Sequence, residues 1–141
     1  MKYYLAYGSN LDLNHMKLMC SDSKFLGITK IDGFKLAFRG EDNRSYLTAI
    51  NEKDSFVYAG IFEITDKCEF SLDHYEDYPN LYYKEVINFQ INDNIYAWLI
   101  YIMHEKDLYN KPSEEYLEMV KNSYKFHNLD INLIEKTLLN K

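Results

Sequence analysis

Two cysteines, two prolines, five glycines and one tryptophan are all that this 141-residue chain has of the residues that staple or sharply bend a backbone. Each scarcity excludes something. Two cysteines are too few for the disulfide framework that replaces a core in small secreted domains, so Cys20 and Cys68 read as small core residues. The four histidines (His15, His74, His104, His127) show no His-x-x-x-His spacing, so no metal centre and no cofactor are expected. No apolar run approaches the ~20 residues of a membrane span. The N-terminal Met-Lys-Tyr-Tyr-Leu-Ala-Tyr also lacks a signal peptide's apolar stretch and cleavage site, so a soluble, cytoplasmic protein with no membrane partner is expected. Basic charge is scarce as well. The 16 Lys and Arg are scattered among 22 acids for a net charge of -6, which provides no stripe for nucleic acid and suits a small neutral or zwitterionic ligand.

What the chain has in quantity is tyrosine, 14 in all. A tyrosine buries an apolar ring but keeps a hydroxyl that needs a partner, so this number predicts a core or cavity in which packing and hydrogen bonding are mixed. The hydrophobic share of 47% and the charged share of 27% are those of a globular chain, and the length predicts one domain over residues 1–141.

Residues 3–7 form an apolar run that stops at Gly8, as a buried strand entering a turn would. Ser9, Asn10 and Asp12 are N-cap types, and Leu11, Met16, Leu18 and Met19 suit a short helix behind them. Residues 25–38 are strand-like on both sides of Asp32-Gly33, a dipeptide that predicts a hairpin turn. A polar loop at 40–44 precedes strands at 46–50 and 56–64, separated by 51–55. A helix is expected from Thr65 or Asp66 to about Tyr75, with Asp66 and Glu69 at capping-box spacing. Pro79 and Asn80 force a loop, and residues 82–91 and 95–102 form a last hairpin across 92–94. After a polar connection at 104–111, the tail from 113 to 139 is helical, with Tyr116, Met119, Val120 and Tyr124 on one face. These elements predict an α+β domain of six or so strands in an antiparallel or mixed sheet that can curl toward a small barrel, with flanking helices.

Two places stand out chemically. At Tyr7-Gly8-Ser9-Asn10 a buried strand meets a helix N-terminus, whose first N–H groups lack internal partners; Ser9 and Asn10 add side-chain donors. The same tripeptide also serves simply as a turn and cap. Glu76 falls four residues after Leu72, at the edge of a helical face shared by Cys68, Leu72 and Tyr75. Burial and the C-terminal end of the helix dipole both favour its protonated form, which raises its pKa toward the range of a useful acid/base. His74 lies on a different face. Of Tyr82 and Tyr83, strand alternation sends one ring inward and the other outward.

These motifs resemble the γ-glutamylcyclotransferase-like (AIG2-like) family. The segment Tyr4-Leu5-Ala6-Tyr7-Gly8-Ser9-Asn10-Leu11 is similar to its N-terminal signature, and Leu72-Asp73-His74-Tyr75-Glu76-Asp77-Tyr78-Pro79 to its central Leu-Asp-x-x-Glu-Gly-Tyr-Pro. Thr48-Ala49-Ile50, Gly60-Ile61-Phe62-Glu63-Ile64 and Pro112-Ser113-Glu114-Glu115-Tyr116-Leu117 also correspond, in order. The resemblance implies a small mixed barrel whose cavity floor is the Tyr-Gly-Ser-Asn loop, and an enzyme that needs no metal or cofactor. Such an enzyme releases 5-oxoproline and a free amine or amino acid from a γ-glutamyl substrate, an intramolecular acyl transfer of the amine-lyase type. Glu76 matches the catalytic glutamate, and either Tyr82 or Tyr83 matches the cavity tyrosine. An alternative on the same scaffold is a non-catalytic small-molecule binding or regulatory module. Asp77 departs from the pattern, because glycine is usual there. An aspartate tolerates positive φ better than most residues, yet a second carboxylate beside Glu76 is expected to raise its pKa or crowd the pocket mouth.

Overall fold

The computed structural model describes residues 2–104 and 108–139, so part of the connection expected at 104–111 lies outside the described residues. Strand β1 (Lys2–Ala6) leads through Tyr7 and Gly8 into a 3-10 turn at Ser9–Leu11 and helix α1 (Leu13–Met19). The Asp12 carboxylate caps α1 by accepting from the His15 N–H at 3.0 Å. Strands β2 (Lys24–Glu41) and β3 (Arg44–Ile64) follow, then helix α2 (Asp66–Tyr75), strands β4 (Tyr82–Ile91) and β5 (Asn94–Met103), and helices α3 (Glu114–Phe126) and α4 (Asn132–Leu139). The Thr65 hydroxyl caps α2 by accepting from the Cys68 N–H, and Asp66 opens the first turn rather than capping it.

The strands form one mixed five-stranded sheet in the order β2-β3-β1-β5-β4, in which β1 and β5 are parallel and the other neighbours antiparallel. The α+β class holds, with five strands in place of six or so, and no ladder joins the edge strands β2 and β4 among the described residues. The reduction comes from the β2–β3 region. Asp32-Gly33 does not turn the chain back; Gly33, at φ 88°, carries a bulge within β2, while β3 loops out residues 52–55 opposite it. The reversal occurs instead at Asp42-Asn43, where Asn43 takes φ 59° between the paired Glu41 and Arg44. Asparagine supplies this conformation without a glycine, and the turn falls within the polar loop expected at 40–44.

The bulge bends the long hairpin so that its distal half, residues 34–51, reaches the ends of β4 and β5. The Met103 N–H donates to Thr48 Oγ1 at 2.9 Å, and the Tyr82 hydroxyl donates to the Leu47 carbonyl at 2.9 Å. Two cores result. Leu5, Phe38, Val57, Ile100, Tyr124 and Ile134 belong to one, under α3 and α4; Tyr4, Met16, Phe62, Leu72, Tyr82 and Tyr101 belong to the other, under α1 and α2. Strand β1 separates them and is buried on both faces, which explains its unbroken apolar sequence.

Cys20 and Cys68 are core residues, as expected, but they form a disulfide that ties the end of α1 to the first turn of α2. Counting cysteines rules out a framework of several bridges; it does not rule out one bridge between helices that the sheet brings side by side. With the two positions 48 apart in sequence, losing the bond is expected to lower stability by about 2–4 kcal/mol. Thermal unfolding with and without a thiol reductant, and of Cys20→Ser, checks this: the midpoint should fall in both cases, and identical midpoints would contradict a stabilising bond.

Candidate functional site

The bend after β1, the C-terminus of α2 and the distal β2–β3 hairpin meet at one cavity. Its inner end is a pit of about 20 Å³, room for roughly one water, lined by Tyr4, Tyr7, Gly8, Asn10, Leu47 and Glu76 among others. The pit shares Ser9, Glu76, Tyr82 and Tyr116 with a vestibule of about 300 Å³ that opens between Tyr46, Tyr75 and Leu81. A concavity of about 340 Å³ beside Leu11, Asn14, Ser123 and Phe126 is larger, but Asp12, its only ionisable group, is committed as a helix cap.

Glu76 is the C-cap residue of α2, and its N–H closes the helix on the Leu72 carbonyl at 2.8 Å. The residue is partly exposed through the vestibule. Among the described residues no hydrogen bond or ion pair engages its carboxylate, and burial pushes its pKa from 4.5 up to about 7. Burial also pushes the Tyr4, Tyr7, Tyr82 and Tyr116 hydroxyls well above their ordinary range, and the nearby Glu76 charge adds to each shift. The tyrosines around the pit are therefore neutral.

Their hydroxyls are largely committed elsewhere. Tyr7 donates to the Tyr101 carbonyl at 2.6 Å and Tyr82 to the Leu47 carbonyl, so neither proton is available to Glu76. Tyr116 and Tyr4 instead accept, from the Leu47 N–H at 3.1 Å and Asn10 Nδ2 at 2.9 Å, which leaves each its own proton to donate. The Asn10 Oδ1 is buried without a partner. Ser9 Oγ and the Tyr75 hydroxyl are 3.0 Å apart, bridging the floor to the last turn of α2. Behind the pit, Asp73 accepts from the Tyr101 hydroxyl and pairs with Lys84 at 2.8 Å, and Lys84 also reaches Glu69 at 2.9 Å. These contacts tie the helix that carries Glu76 to β4 and β5.

Tyr7, Gly8, Ser9, Asn10, Glu76 and Tyr82 thus line one cavity, whereas Tyr83 does not. Alternation along β4 turns the Tyr83 ring to the opposite face, where it packs on the other core and against His104 at 5.1 Å. Tyr75 is half-exposed at the mouth rather than on the buried face with Leu72, because its hydroxyl reaches out to Ser9. His74 is exposed. Asp77 does take positive φ, 50°, but its carboxylate turns to Asn80 Nδ2 at 3.3 Å and is not among the causes of the Glu76 shift. Sequence reasoning about the site passed over Tyr4, Tyr116 and Tyr46 and gave Arg44, within the polar loop at 40–44, no role of its own. The signal for Tyr116 is the Pro-Ser-x-x-Tyr-Leu segment, which carries part of the family resemblance and a helical face but assigns this ring no role; Tyr46 depends on the bent hairpin and carries no local signal.

Among the described residues no group of three or more His, Cys, Asp or Glu side chains is arranged to hold a metal ion, and no helix is long and apolar enough to cross a membrane.

No curated protein is matched by the chain. A solved γ-glutamyl cyclotransferase superimposes with a TM-score of 0.81 at 20% identity, over 96% of this chain and 85% of that one. An AIG2-like protein from Mus musculus gives 0.59 at 24% identity over 83% and 82% of the two chains. A γ-glutamyl cyclotransferase specific to glutathione, from yeast, gives 0.57 at 10% identity over 98% and 97%. At these identities the likeness speaks for the fold alone. The family model described as gamma-glutamyl cyclotransferase, AIG2-like matches residues 4–121. Most of the chain is covered by that match, from β1 through the sheet into α3, and the protein therefore belongs to the γ-glutamyl cyclotransferase, AIG2-like family.

Proposed function

We propose that the protein is a γ-glutamyl cyclotransferase that converts a γ-glutamyl amine or amino acid into 5-oxoproline and the free amine, with Glu76 as general base and then acid. The observation that carries this reading is a carboxyl group poised near neutral pH at the junction of a one-water pit and a substrate-sized vestibule. The substrate's α-ammonium gives one proton to Glu76, and the freed nitrogen attacks the γ-carbonyl carbon. As the carbon–nitrogen bond to the leaving group breaks, Glu76 returns the proton to the departing nitrogen, and the second proton on the new ring nitrogen passes to the freed amine, which leaves as its ammonium, so no water is consumed and the carboxylate is regenerated. A base whose pKa lies near the working pH performs both transfers.

Positioning supplies much of the remaining acceleration, because a five-membered ring closes readily once the chain is held folded. The unpartnered Asn10 Oδ1 suits an ammonium hydrogen. The Tyr116 proton and the N–H groups around Gly8, Ser9 and Asn10 suit the glutamyl carboxylate or the developing oxyanion. Neutral tyrosine hydroxyls donate without adding charge, so they leave the Glu76 proton affinity high.

Incubating the protein with a panel of γ-glutamyl amines and dipeptides tests the reading directly. Release of 5-oxoproline is expected from the wild type and should fall at least about 100-fold in Glu76→Gln. Absence of turnover combined with ligand-induced thermal stabilisation would favour a binding module instead. Because the active base is the ionised carboxylate, kcat/KM should rise with pH through about 7 and then level, as far as this group decides it. The same shift has a thermodynamic consequence. Between pH 4.5 and about 7 the folded state retains a proton that the unfolded state has lost, so the Glu76 contribution to stability falls as pH rises through that window. Glu76→Gln should therefore be more stable than wild type at pH 8, by up to on the order of 3 kcal/mol, with the advantage shrinking as pH falls from about 7 to 4.5. Denaturant unfolding at the two pH values measures this, and a variant less stable at pH 8 would contradict the desolvated carboxyl.

A further inference from the structure

Two charged side chains line the vestibule, Glu76 where it joins the pit and Arg44 from the tip of the β2–β3 hairpin. We propose that Arg44 is the clamp for a carboxylate on the leaving group, so that this site prefers γ-glutamyl derivatives of amino acids over those of simple amines. The proposal rests on the cyclotransferase reading above and assigns it a substrate class.

Arg44 is exposed, but the turn that carries it is firmly built. The Gly40 N–H donates to the Leu108 carbonyl at 3.2 Å, the Asn43 N–H to the Lys111 carbonyl at 2.9 Å, and the buried Ser45 hydroxyl to the Asn110 carbonyl at 2.6 Å. The two arms close tightly across Gly40, where a Cβ would come within 2.7 Å of the Arg44 carbonyl oxygen at a φ of 138°. The backbone under Arg44 is thus fixed at the mouth.

The one ion pair recorded for Arg44 among the described residues is with Glu41, at 3.8 Å and with both side chains more than three-quarters exposed. Such a pair is worth little, and it leaves the planar, multi-donor guanidinium able to take a better-placed carboxylate. Burial alone accounts for the high Glu76 proton affinity, with no contribution from the Arg44 charge. This division suits a substrate whose scissile amide lies beside Glu76 while a negative group beyond it faces the mouth. The rings of Tyr46 and Tyr75, with Leu81, offer an apolar side chain the rest of the vestibule. A simple amine leaving group would bring nothing to the cation.

The test compares two compounds that differ only by the carboxylate, γ-glutamyl-L-phenylalanine and γ-glutamyl-2-phenylethylamine, with wild type, Arg44→Ala and Arg44→Lys. Wild type is expected to prefer the phenylalanine derivative about tenfold in kcat/KM. The ratio should approach one in Arg44→Ala and lie between in Arg44→Lys. If both compounds release 5-oxoproline but wild type shows no preference, or Arg44→Ala keeps it, the clamp is overturned and the cyclotransferase reading stands. If neither releases 5-oxoproline, that reading fails for these substrates, and calorimetric titration of the same compounds still decides the clamp. Tighter binding of the phenylalanine derivative that is lost in Arg44→Ala supports it; equal binding, or none, overturns it.

Discussion

The site depends on a carboxyl group that the fold desolvates without compensating. Most of the polar side chains around Glu76 are tyrosines, and two of them, Tyr7 and Tyr82, spend their protons on the Tyr101 and Leu47 carbonyls. A carboxylate that accepted those bonds would titrate low and serve as a permanent anion. Denied them, Glu76 is held near 7. The tyrosines therefore act twice, as walls that exclude water and as hydroxyls that satisfy backbone groups instead of the carboxylate.

The same hydrogen bonds build the cavity. Leu47 lies on the distal arm of the bent hairpin, with its carbonyl taking the Tyr82 proton and its N–H donating to Tyr116 on α3. One residue of β3 thus joins β4 to α3 over the opening bend of the chain. The Thr48 hydroxyl, next in sequence, takes the Met103 N–H and holds the arm to β5. On the other side, the Cys20–Cys68 bond and the Asp73–Lys84–Tyr101 contacts fix α2 against α1 and the sheet. The floor and the glutamate come from distant parts of the sequence and are set by elements clamped at both ends.

Much of this was legible before any coordinates. The strand-to-helix bend at Gly8, the cap at Thr65, the end of α2 at Tyr75 and the last hairpin all follow from residue types with strong local preferences. Positive φ at Asp77 followed from its resemblance to a glycine position. What escaped were features decided by tertiary contact. The Asp32-Gly33 pair has the chemistry of a tight turn, but continued pairing of β2 with β3 turned it into a bulge. That one difference bends the hairpin and brings Tyr46 and Leu47, with the 40–44 loop, to the cavity, an approach that no local signal at Tyr46 or Leu47 encodes. The disulfide escaped for the same reason, since its cysteines meet only through the packing of two helices.

The central claim is that Glu76 is held in poorly hydrated surroundings and titrates far above an ordinary glutamate. Side-chain carboxyl carbon resonances of glutamate-labelled protein, followed across the pH range and assigned with Glu76→Gln, measure this directly. A midpoint near 7 is expected for Glu76; a midpoint near the ordinary 4.5 would contradict the account.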